Sequence, residues 1–471
     1  MIKIGKKEAI YGYVDIIFAQ LANIIVLPIV LRLVNTEEYA IWNIFVSIQA
    51  FVILFEGGFS ILVARFATYA YSGADRILAS GTAEIKENTI NYELLYDVLN
   101  VSKQLYRKIS LIATGILLCA TFYIGYVARN CENIGSILIA WLFFSVGVVI
   151  SLYFTYYTSF LKGVGKIREM RIISICSNLL QAFLKVIFVV SGFGLMGIAA
   201  AVTIVVLFKR LMIRKHVLKV FANSGINSFI FRKESAAEIK NAMFANAKQL
   251  GLVVIAQYIE NQGMTLICSA FLPLTLLGQY GLTLQILSIV SSVASTPTTT
   301  YQPVLNQYVA LNEQKKLRNL YSMLTVIISG TYWLGVVASV LVVPQMLLLI
   351  KSKTHMLEIV PVIIMSAYQF ELIMHQRATK LISYTNRQPY VRSYVVTAFD
   401  ELLLAVVVLG IMKESITIYL IGLSVIELYN LIRWMKESAR LVDSTVPKLY
   451  INGILQCKSV MQDFIKNHGR K

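Results

Sequence analysis

Long apolar runs recur along this chain and constrain its fold more than any other feature of the sequence. Residues 109–128 and 391–411 are two examples. An α-helix needs about 20 consecutive apolar residues to cross the roughly 30 Å of hydrocarbon in a bilayer. Composition supports the same conclusion, because 57% of the residues are hydrophobic and 14% are charged, whereas soluble domains carry about 25% charged residues. The sequence therefore predicts an all-α, multi-pass membrane protein.

Taken in order, the apolar runs predict about twelve transmembrane helices. The predicted spans are 10–34, 38–64, 107–128, 134–160, 170–192, 195–218, 240–270, 273–300, 319–343, 357–383, 390–411 and 413–435. The first run contains polar residues and lacks a small-residue cleavage site, so it is expected to stay in the membrane rather than to be removed as a signal peptide.

The basic residues are concentrated in alternate loops. The net charge is +18. Most of the loop Lys and Arg belong to one set, namely Lys3, Lys6, Lys7, Lys162, Lys166, Arg168, Arg171, Lys209, Arg210, Arg214, Lys215, Lys219, Lys315, Lys316 and Arg318. The opposite loops hold Arg129, Lys351, Lys353 and Lys413. Because cytoplasmic loops are enriched in Lys and Arg, both termini are expected in the cytoplasm, with the chain in the bacterial inner membrane. Topology and attraction to anionic lipids explain the charge without a nucleic-acid partner.

An internal repeat divides the chain into two halves. Residues 39–48 contain Tyr-Ala-Ile and then Phe-Val-Ser-Ile, and residues 280–289 contain Tyr-Gly-Leu and then Ile-Leu-Ser-Ile at the same spacing. Six predicted spans in each half give both halves the same orientation, as in the parallel repeats of transporters. The predicted organisation is an N-lobe at 1–222 with spans 1–6, a cytoplasmic linker at 223–238, a C-lobe at 239–441 with spans 7–12, and a cytoplasmic tail at 442–471.

Apolar residues of the tail recur at helical spacing opposite Lys458 and Lys466. This pattern predicts an amphipathic helix on the membrane surface, and the alternative is a frayed terminus.

The sequence contains no pattern that indicates an enzyme or a cofactor. The segment Gly163-Val164-Gly165-Lys166 has Phe160 and Ile167 where a phosphate-binding loop requires Gly and Ser or Thr. The four histidines and five cysteines are scattered without metal-ligand spacing. The predicted periplasmic loops are short, whereas a membrane glycan polymerase is expected to carry a sizeable one. The sequence therefore predicts a transporter without a cofactor.

Ionisable residues inside the predicted spans are the candidate functional groups. Each costs roughly 2.5–3.5 kcal/mol at a helix centre, and such groups face the bundle interior or a water-filled cavity. They are Asp15, Arg32, Glu56, Lys185, Lys248, Glu260, Glu371, His375, Arg377, Asp400, Glu401 and Glu427. Arg32 and Lys185 lie toward the predicted periplasmic ends and could snorkel to the surface. Asp400 lies near the middle of its span, where snorkelling is impossible.

Three polar stripes follow helical spacing. Trp42, Gln49 and Glu56 share a face of the second span, and Tyr368, Glu371 and His375 share a face of the tenth. The third stripe, on the seventh span, comprises Asn246, Gln249, Gln257 and Glu260, with Lys248 nearby. These stripes either line a water-filled cavity between the lobes or join helices by hydrogen bonds.

Histidine is the side-chain type whose unperturbed pKa lies nearest neutral pH, and His375 is the histidine among these candidates. Its position after Glu371 permits proton coupling, and the alternative is a His paired with its i−4 carboxylate.

The segment from Leu27 to Arg65 resembles the first helical hairpin of O-antigen (Wzx-like) polysaccharide flippases. The resemblance rests on Leu27-Pro28, Leu31, Leu33, Glu38-Tyr39, Trp42, Ser47, Glu56-Gly57-Gly58-Phe59 and Arg65. The chain departs from the family at Ala40, where Gly is frequent, and at Glu56, where Asp is frequent. These flippases belong to the multidrug/oligosaccharidyl-lipid/polysaccharide (MOP) exporter superfamily. The resemblance implies two six-helix lobes around a central cavity, as in MATE transporters.

The resemblance also implies a function, the movement of an undecaprenyl-diphosphate-linked oligosaccharide to the periplasmic leaflet. The implied partners are this lipid-linked oligosaccharide, membrane lipids and other polysaccharide-assembly membrane proteins. Arg32, Lys185, Lys248 and Arg377 would supply cations for the diphosphate, and Trp42, Gln49, Asn246 and Gln257 would line the glycan path. The implied gating or ion-coupling residues are Asp15, Glu56, Glu260, Glu371, His375, Asp400, Glu401 and Glu427.

Three rival functions remain open from the sequence. A drug or organic-cation exporter of the same superfamily would need an aromatic and acidic cavity, against which the intramembrane cations argue. A membrane glycan-assembly enzyme would need a catalytic cluster. A scaffold for glycan-assembly enzymes would have no use for costly buried charges.

Overall fold

The computed structural model describes residues 25–77, 89–222, 231–258, 263–385 and 389–468, and for 245–257, 303, 310, 460–461 and 463–468 it describes the backbone alone. The described chain is 86% helical and contains no strand. The all-α fold predicted from the sequence is therefore confirmed.

The chain forms two compact units, which meet in sequence between Ala270 and Phe271. The first unit contains α1 (25–33), α2 (Thr36–Ile53), α3 (Phe59–Tyr71), α4 (Tyr92–Val127), α5 (Ile134–Tyr153), α6 (Thr155–Gly163), α7 (Ile167–Val190), α8 (Gly194–Ala222), α9 (Lys233–Tyr258) and α10 (Met264–Cys268). The predicted linker at 223–238 lies partly outside the described residues, and the predicted lobe boundaries stay a prediction.

The second unit contains six helices among its described residues. They are α11 (Leu274–Ala310), α12 (Gln314–Leu349), α13 (Ile359–Ser383), α14 (Val391–Ala405, continued by a π-helical turn over Val406–Ile411), α15 (Ile416–Leu441) and α16 (Val446–His468). Helix α13 is the most thoroughly buried of them, with fifteen buried residues, and it packs along α15.

Nine helices in the described part of the chain are long and apolar enough to cross a membrane. They correspond to nine of the predicted spans. Most of the predicted span at 10–34 lies outside the described residues. The spans predicted at 240–270 and 357–383 overlap α9 and α13, which are absent from the nine. Large apolar side chains lie on the helix surfaces, as at Phe122 and Leu349. Soluble proteins rarely expose contiguous apolar surface of this kind, and a lipid environment accounts for it.

The second predicted span is interrupted at two glycines. Helix α2 ends in a 3-10 turn at Glu56, and α3 begins at Phe59. Gly57 and Gly58 have φ values of 56° and 77°, in the left-handed region that glycine enters without a Cβ clash. Within the span predicted at 38–64, these two glycines therefore end one helix before the next begins. The break leaves the Glu56 side chain at a helix end, beside α4.

The last helix, α16, packs against α12. A Cβ on Gly453 would overlap the Ser322 carbonyl oxygen, so the two backbones approach as closely as glycine permits. Ile451, Ile454 and Leu455 are exposed on the other side of α16. This apolar face agrees with an amphipathic character, and the membrane-surface location of the tail stays a prediction.

Candidate functional site

A sealed polar cluster lies inside the second unit, where α13, α14 and α15 meet. His375 of α13 and Glu427 of α15 are both fully buried, and Nδ1 of the histidine lies 2.6 Å from Oε1 of the glutamate. The imidazole stacks on Tyr394, with ring centroids 4.7 Å apart. The expectation that His375 pairs with its i−4 neighbour Glu371 is wrong, because α15 supplies a closer carboxylate.

Two further carboxylates belong to this cluster. The Tyr368 hydroxyl donates to Oε1 of Glu401 at 2.9 Å, and the Ser424 hydroxyl lies 2.9 Å from both carboxylate oxygens of Glu371. Buried carboxylates are tolerated when they are hydrogen-bonded, paired or neutralised, and the hydroxyls of Tyr368 and Ser424 supply hydrogen bonds here.

Some polar atoms of the cluster have no hydrogen-bond partner within the described residues. They are Nε2 of His375, Oε2 of Glu401 and Oε2 of Glu427. Native proteins satisfy nearly all buried polar groups, so these atoms mark places where a proton, a water or a conformational change must compensate.

Arg377 links α13 to α12. Its Nη2 donates to the Tyr321 carbonyl at 2.7 Å and to the Thr325 hydroxyl at 2.5 Å, and its guanidinium lies 4.0 Å from the Tyr321 ring centroid. The side chain is 5% exposed. In this conformation Arg377 therefore joins helices, and a diphosphate could reach it only after the helices rearrange.

A second polar cluster, in the first unit, involves Glu56. The Tyr106 hydroxyl of α4 donates to Oε1 of Glu56 at 2.6 Å. Arg210 of α8 lies within electrostatic range of this carboxylate and donates to Thr158 at 2.7 Å and Ser151 at 2.9 Å. The sequence analysis counted Arg210 among the loop residues, whereas the structure places it within α8, which continues to Ala222, with its guanidinium turned toward α5 and α6.

Trp42 and Lys185 also lie together in the first unit. The Lys185 Nζ lies 5.6 Å from the Trp42 ring centroid, and Trp42 packs edge-on against Phe144. Both side chains are partly exposed, as is Gln49 one stripe position further along α2. Arg32 is exposed on α1. The structure thus brings Trp42 and Lys185 together, on different helices, in a way that the sequence did not reveal.

Several predicted site residues cannot be placed. Asp15 and Glu260 lie outside the described residues, and Asn246, Lys248, Gln249 and Gln257 lie on α9 with side chains outside the description. Their roles stay predictions.

Asp400 lines a cleft between α14 and α15 that has a volume of about 490 Å³. The lining residues are Pro389, Arg392, Ser393, Val396, Thr397, Asp400, Ile426, Tyr429, Asn430 and Arg433. The residues from α14 recur at i, i+1, i+4, i+5 and i+8, so they share one helical face.

The wall of this cleft is a chain of polar side chains. The Trp434 indole donates to Ser393 at 3.2 Å, Ser393 donates to the Asn430 carbonyl, and the Asn430 amide donates to Thr397. Arg392 and Arg433 form no ion pair with any residue that the structure describes. Neither arginine was among the site residues predicted from the sequence. The helical spacing of Arg392 with Asp400, and of Asn430 with Arg433, could have indicated that each pair shares one face of its helix.

Comparison with known proteins identifies the fold. No protein-family model and no curated protein matches the sequence. An inward-facing multidrug resistance MATE family transporter of the MOP superfamily is 12% identical, with a TM-score of 0.63 over 90% of this chain and 95% of that one. The MATE multidrug transporter DinF-BH, in a ligand complex, is 13% identical, with a TM-score of 0.60 over 95% and 96%.

The lipid II flippase MurJ, in an inward closed conformation, is also similar. It is 10% identical, with a TM-score of 0.59 over 98% of this chain and 93% of that one. The chain therefore has the MATE-like fold of MOP superfamily transporters, as the resemblance implied. Identities this low establish the fold alone.

Proposed function

We propose that this protein is a flippase of the bacterial inner membrane. It moves an oligosaccharide linked to undecaprenyl diphosphate, such as an O-antigen repeat unit, from the cytoplasmic to the periplasmic leaflet by alternating access. The fold shared with MOP transporters supports a transport function, and it serves MATE transporters and the MurJ flippase alike. The choice between substrates depends on this chain's own residues.

The arginine-lined cleft between α14 and α15 is the observation that supports a phosphorylated glycan as the substrate. Arg392 and Arg433 are held on facing helices without ion-pair partners among the described residues, and Arg binds phosphate oxygens through charge-assisted, often bidentate hydrogen bonds. Asp400, Asn430 and Tyr429 add acceptors, donors and an aromatic ring at the same cleft. These groups fit sugar hydroxyls next to a phosphate better than they fit an organic cation.

The physical task of a flippase explains why such groups lie within a membrane protein. Each hydroxyl costs several kcal/mol when it enters hydrocarbon without a hydrogen-bond partner. A polar protein surface removes that cost, while the lipid tail stays in the bilayer. Trp42 and Lys185 offer a second surface of this type, with an aromatic face next to an ammonium group. Lys248, Arg32 and Arg377 remain proposed contributors of positive charge.

The sealed cluster of Glu371, His375, Glu401 and Glu427 is the proposed ion-coupling element. It holds several carboxylates and one imidazole away from water, and titratable groups within spans commonly serve proton relays. Glu56, with Tyr106 and Arg210, is the proposed gating element of the first unit.

A drug or organic-cation exporter is the second candidate. The buried carboxylates of the second unit favour it, because an acidic interior attracts cations. Likeness to the multidrug transporter DinF-BH agrees with this alternative at the level of fold.

Deletion of the gene in its host separates the two candidates. The flippase proposal predicts that surface polysaccharide disappears and that lipid-linked intermediates accumulate on the cytoplasmic face. Complementation with Arg392→Ala/Arg433→Ala should fail, whereas Arg440→Ala should succeed, because Arg440 lies on the same helix but is exposed outside the cleft. Unchanged glycan together with increased sensitivity to cationic dyes would support the exporter instead.

A further inference from the structure

A groove in the first unit lies apart from the residues discussed so far. It has a volume of about 250 Å³ and is formed by α4 and α9. From α4 it is lined by Val101, Gln104, Leu105 and Lys108, and from the α9 side by Phe231, Lys233, Ala236, Ala237, Lys240, Met243 and Phe244. Both sets recur at intervals of three and four residues, so each helix presents one continuous face to the groove.

The floor of the groove is apolar and its rim is basic. Val101 and Met243 are buried in the floor, Leu105 is partly buried and Phe244 is half exposed. Three exposed lysines, Lys108, Lys233 and Lys240, stand around this surface, and no carboxylate lines it among the described residues.

The nearest carboxylates of α4 are already paired. Arg232 binds Asp97 through Nε at 2.9 Å and Glu93 through Nη1 at 3.3 Å. The three groove lysines form no ion pair with any residue in the described ranges. No carboxylate in the described part of the chain therefore neutralises these lysines at ion-pair distance.

The position of the groove along the helices suits an interface between lipid and water. Lys108 and Lys240 lie at the start of the spans predicted at 107–128 and 240–270. Lys233 is seven residues earlier on α9, about 10 Å further from the membrane. Positive-inside topology assigns this level to the cytoplasmic leaflet.

We propose that this groove binds an anionic glycerophospholipid of the surrounding membrane. The phosphate group lies among Lys108, Lys233 and Lys240, and an acyl chain lies on Met243 and Phe244. Basic pockets between helices on the cytoplasmic side are suited to anionic lipid headgroups, and the apolar floor adds the burial of hydrocarbon. A zwitterionic lipid would gain the burial of hydrocarbon but not the attraction of a net negative headgroup to the lysines.

Lipid bound in this groove would bridge α4 to the first turns of α9. A ligand that binds only the folded state stabilises it in proportion to the logarithm of its concentration relative to Kd. The site therefore acts as a lipid-dependent clamp between these two helices. It does not depend on which substrate the protein transports.

Native mass spectrometry of the full chain in detergent tests this proposal, with phosphatidylglycerol and phosphatidylcholine added at equal concentrations. We expect phosphatidylglycerol adducts on the native protein and a higher midpoint of thermal unfolding with that lipid alone. The variant Lys108→Gln/Lys233→Gln/Lys240→Gln should lose at least about tenfold in affinity, since each basic residue near an anionic lipid contributes substantially. The matched triple Arg variant should retain binding.

A control variant carries the same charge change elsewhere. Lys162→Gln/Lys215→Gln/Lys219→Gln alters three exposed lysines outside the groove and should bind phosphatidylglycerol as the native protein does. Equal loss in this control, or equal binding of both lipids by the native protein, would overturn the proposal. Binding of undecaprenyl diphosphate in place of phosphatidylglycerol would overturn it as well, by assigning the groove to a substrate lipid.

Discussion

Nδ1 of His375 lies 2.6 Å from Oε1 of Glu427, and neither side chain is accessible from outside the protein. The two residues join α13 to α15, the helix pair that forms the centre of the second unit. The pair allows a prediction about stability, and the carboxylates next to it allow a prediction about transport.

The stability prediction concerns loss of one partner. Glu427→Met or His375→Leu leaves the other polar group buried without its partner, which should lower the free energy of unfolding by about 3 kcal/mol. The double variant His375→Leu/Glu427→Met removes both polar groups and should be less destabilised than the sum of the single variants. Thermal unfolding in detergent measures this. Strict additivity would show that the pair is not coupled. The exposed pair Arg440 and Glu437 is the control and should have no measurable effect.

The transport prediction concerns the neighbouring carboxylates. Glu371→Gln and Glu401→Gln keep the hydrogen-bonding shape of each side chain but remove the charge that a proton would neutralise. We expect downhill movement of substrate to continue and stimulation by a proton gradient to disappear. Glu414→Gln alters an exposed loop carboxylate and should leave the stimulation intact. If both cluster variants still respond to the gradient, protons are coupled elsewhere or not at all.

The docking of α16 provides a packing prediction. Gly453→Val places a Cβ where the Ser322 carbonyl oxygen already lies, so α16 should separate from α12. Asn452 would then lose its hydrogen bonds to Asn319 and Ser322. We expect proteolysis near the C-terminus to accelerate at least several-fold. Ile454→Val, on the exposed face of the same helix, should not change the cleavage rate. Equal resistance of both variants to proteolysis would show that α16 can stay packed on α12 without the close approach at Gly453.

Cysteine chemistry tests the predicted topology. Burial, and then the charge of Glu37, raises the pKa of the Cys131 thiol to about 11, and burial also raises the pKa of Cys457. Because the thiolate is the reactive form, maleimide labelling of either residue should be slow at neutral pH and should accelerate as the pH approaches the raised pKa. In variants that keep one cysteine, an impermeant maleimide should reach Cys131 from the periplasmic side and Cys457 from the cytoplasmic side.

The control for this experiment is Glu37→Gln, which removes a source of repulsion and should lower the pKa of Cys131. Labelling at moderately alkaline pH should then become faster. Labelling of both cysteines from one side would contradict the predicted orientation.

Helix positions were largely predictable from the sequence, because the length of an apolar run is a local property. The spans predicted at 170–192 and 390–411 match helices of the structure closely. The break after Glu56 was signalled by Gly57 and Gly58, yet hydropathy alone extended the helix through them, because both glycines lie within an apolar stretch.

The pairing of polar groups was not predictable in the same way. His375 and Glu427 are 52 positions apart, so their contact depends on how α13 and α15 pack. Arg392 lies at the start of α14, where positive charge is expected from topology alone, while Arg210 and Arg433 lie within α8 and α15. Only the tertiary structure shows that Arg210 turns inward and that Arg392 and Arg433 face one cleft.

Reconstitution of the purified protein tests the flippase proposal most directly. Proteoliposomes carrying an undecaprenyl-diphosphate-linked oligosaccharide on one leaflet are sampled for the fraction of glycan accessible to an external glycosidase. We predict that the native protein and Arg440→Ala move the glycan between leaflets, and that Arg392→Ala/Arg433→Ala is slower by at least about tenfold, the effect of losing one charge-assisted phosphate contact. No movement of glycan by a folded native protein, together with uptake of a cationic dye by the same vesicles, would contradict the proposal.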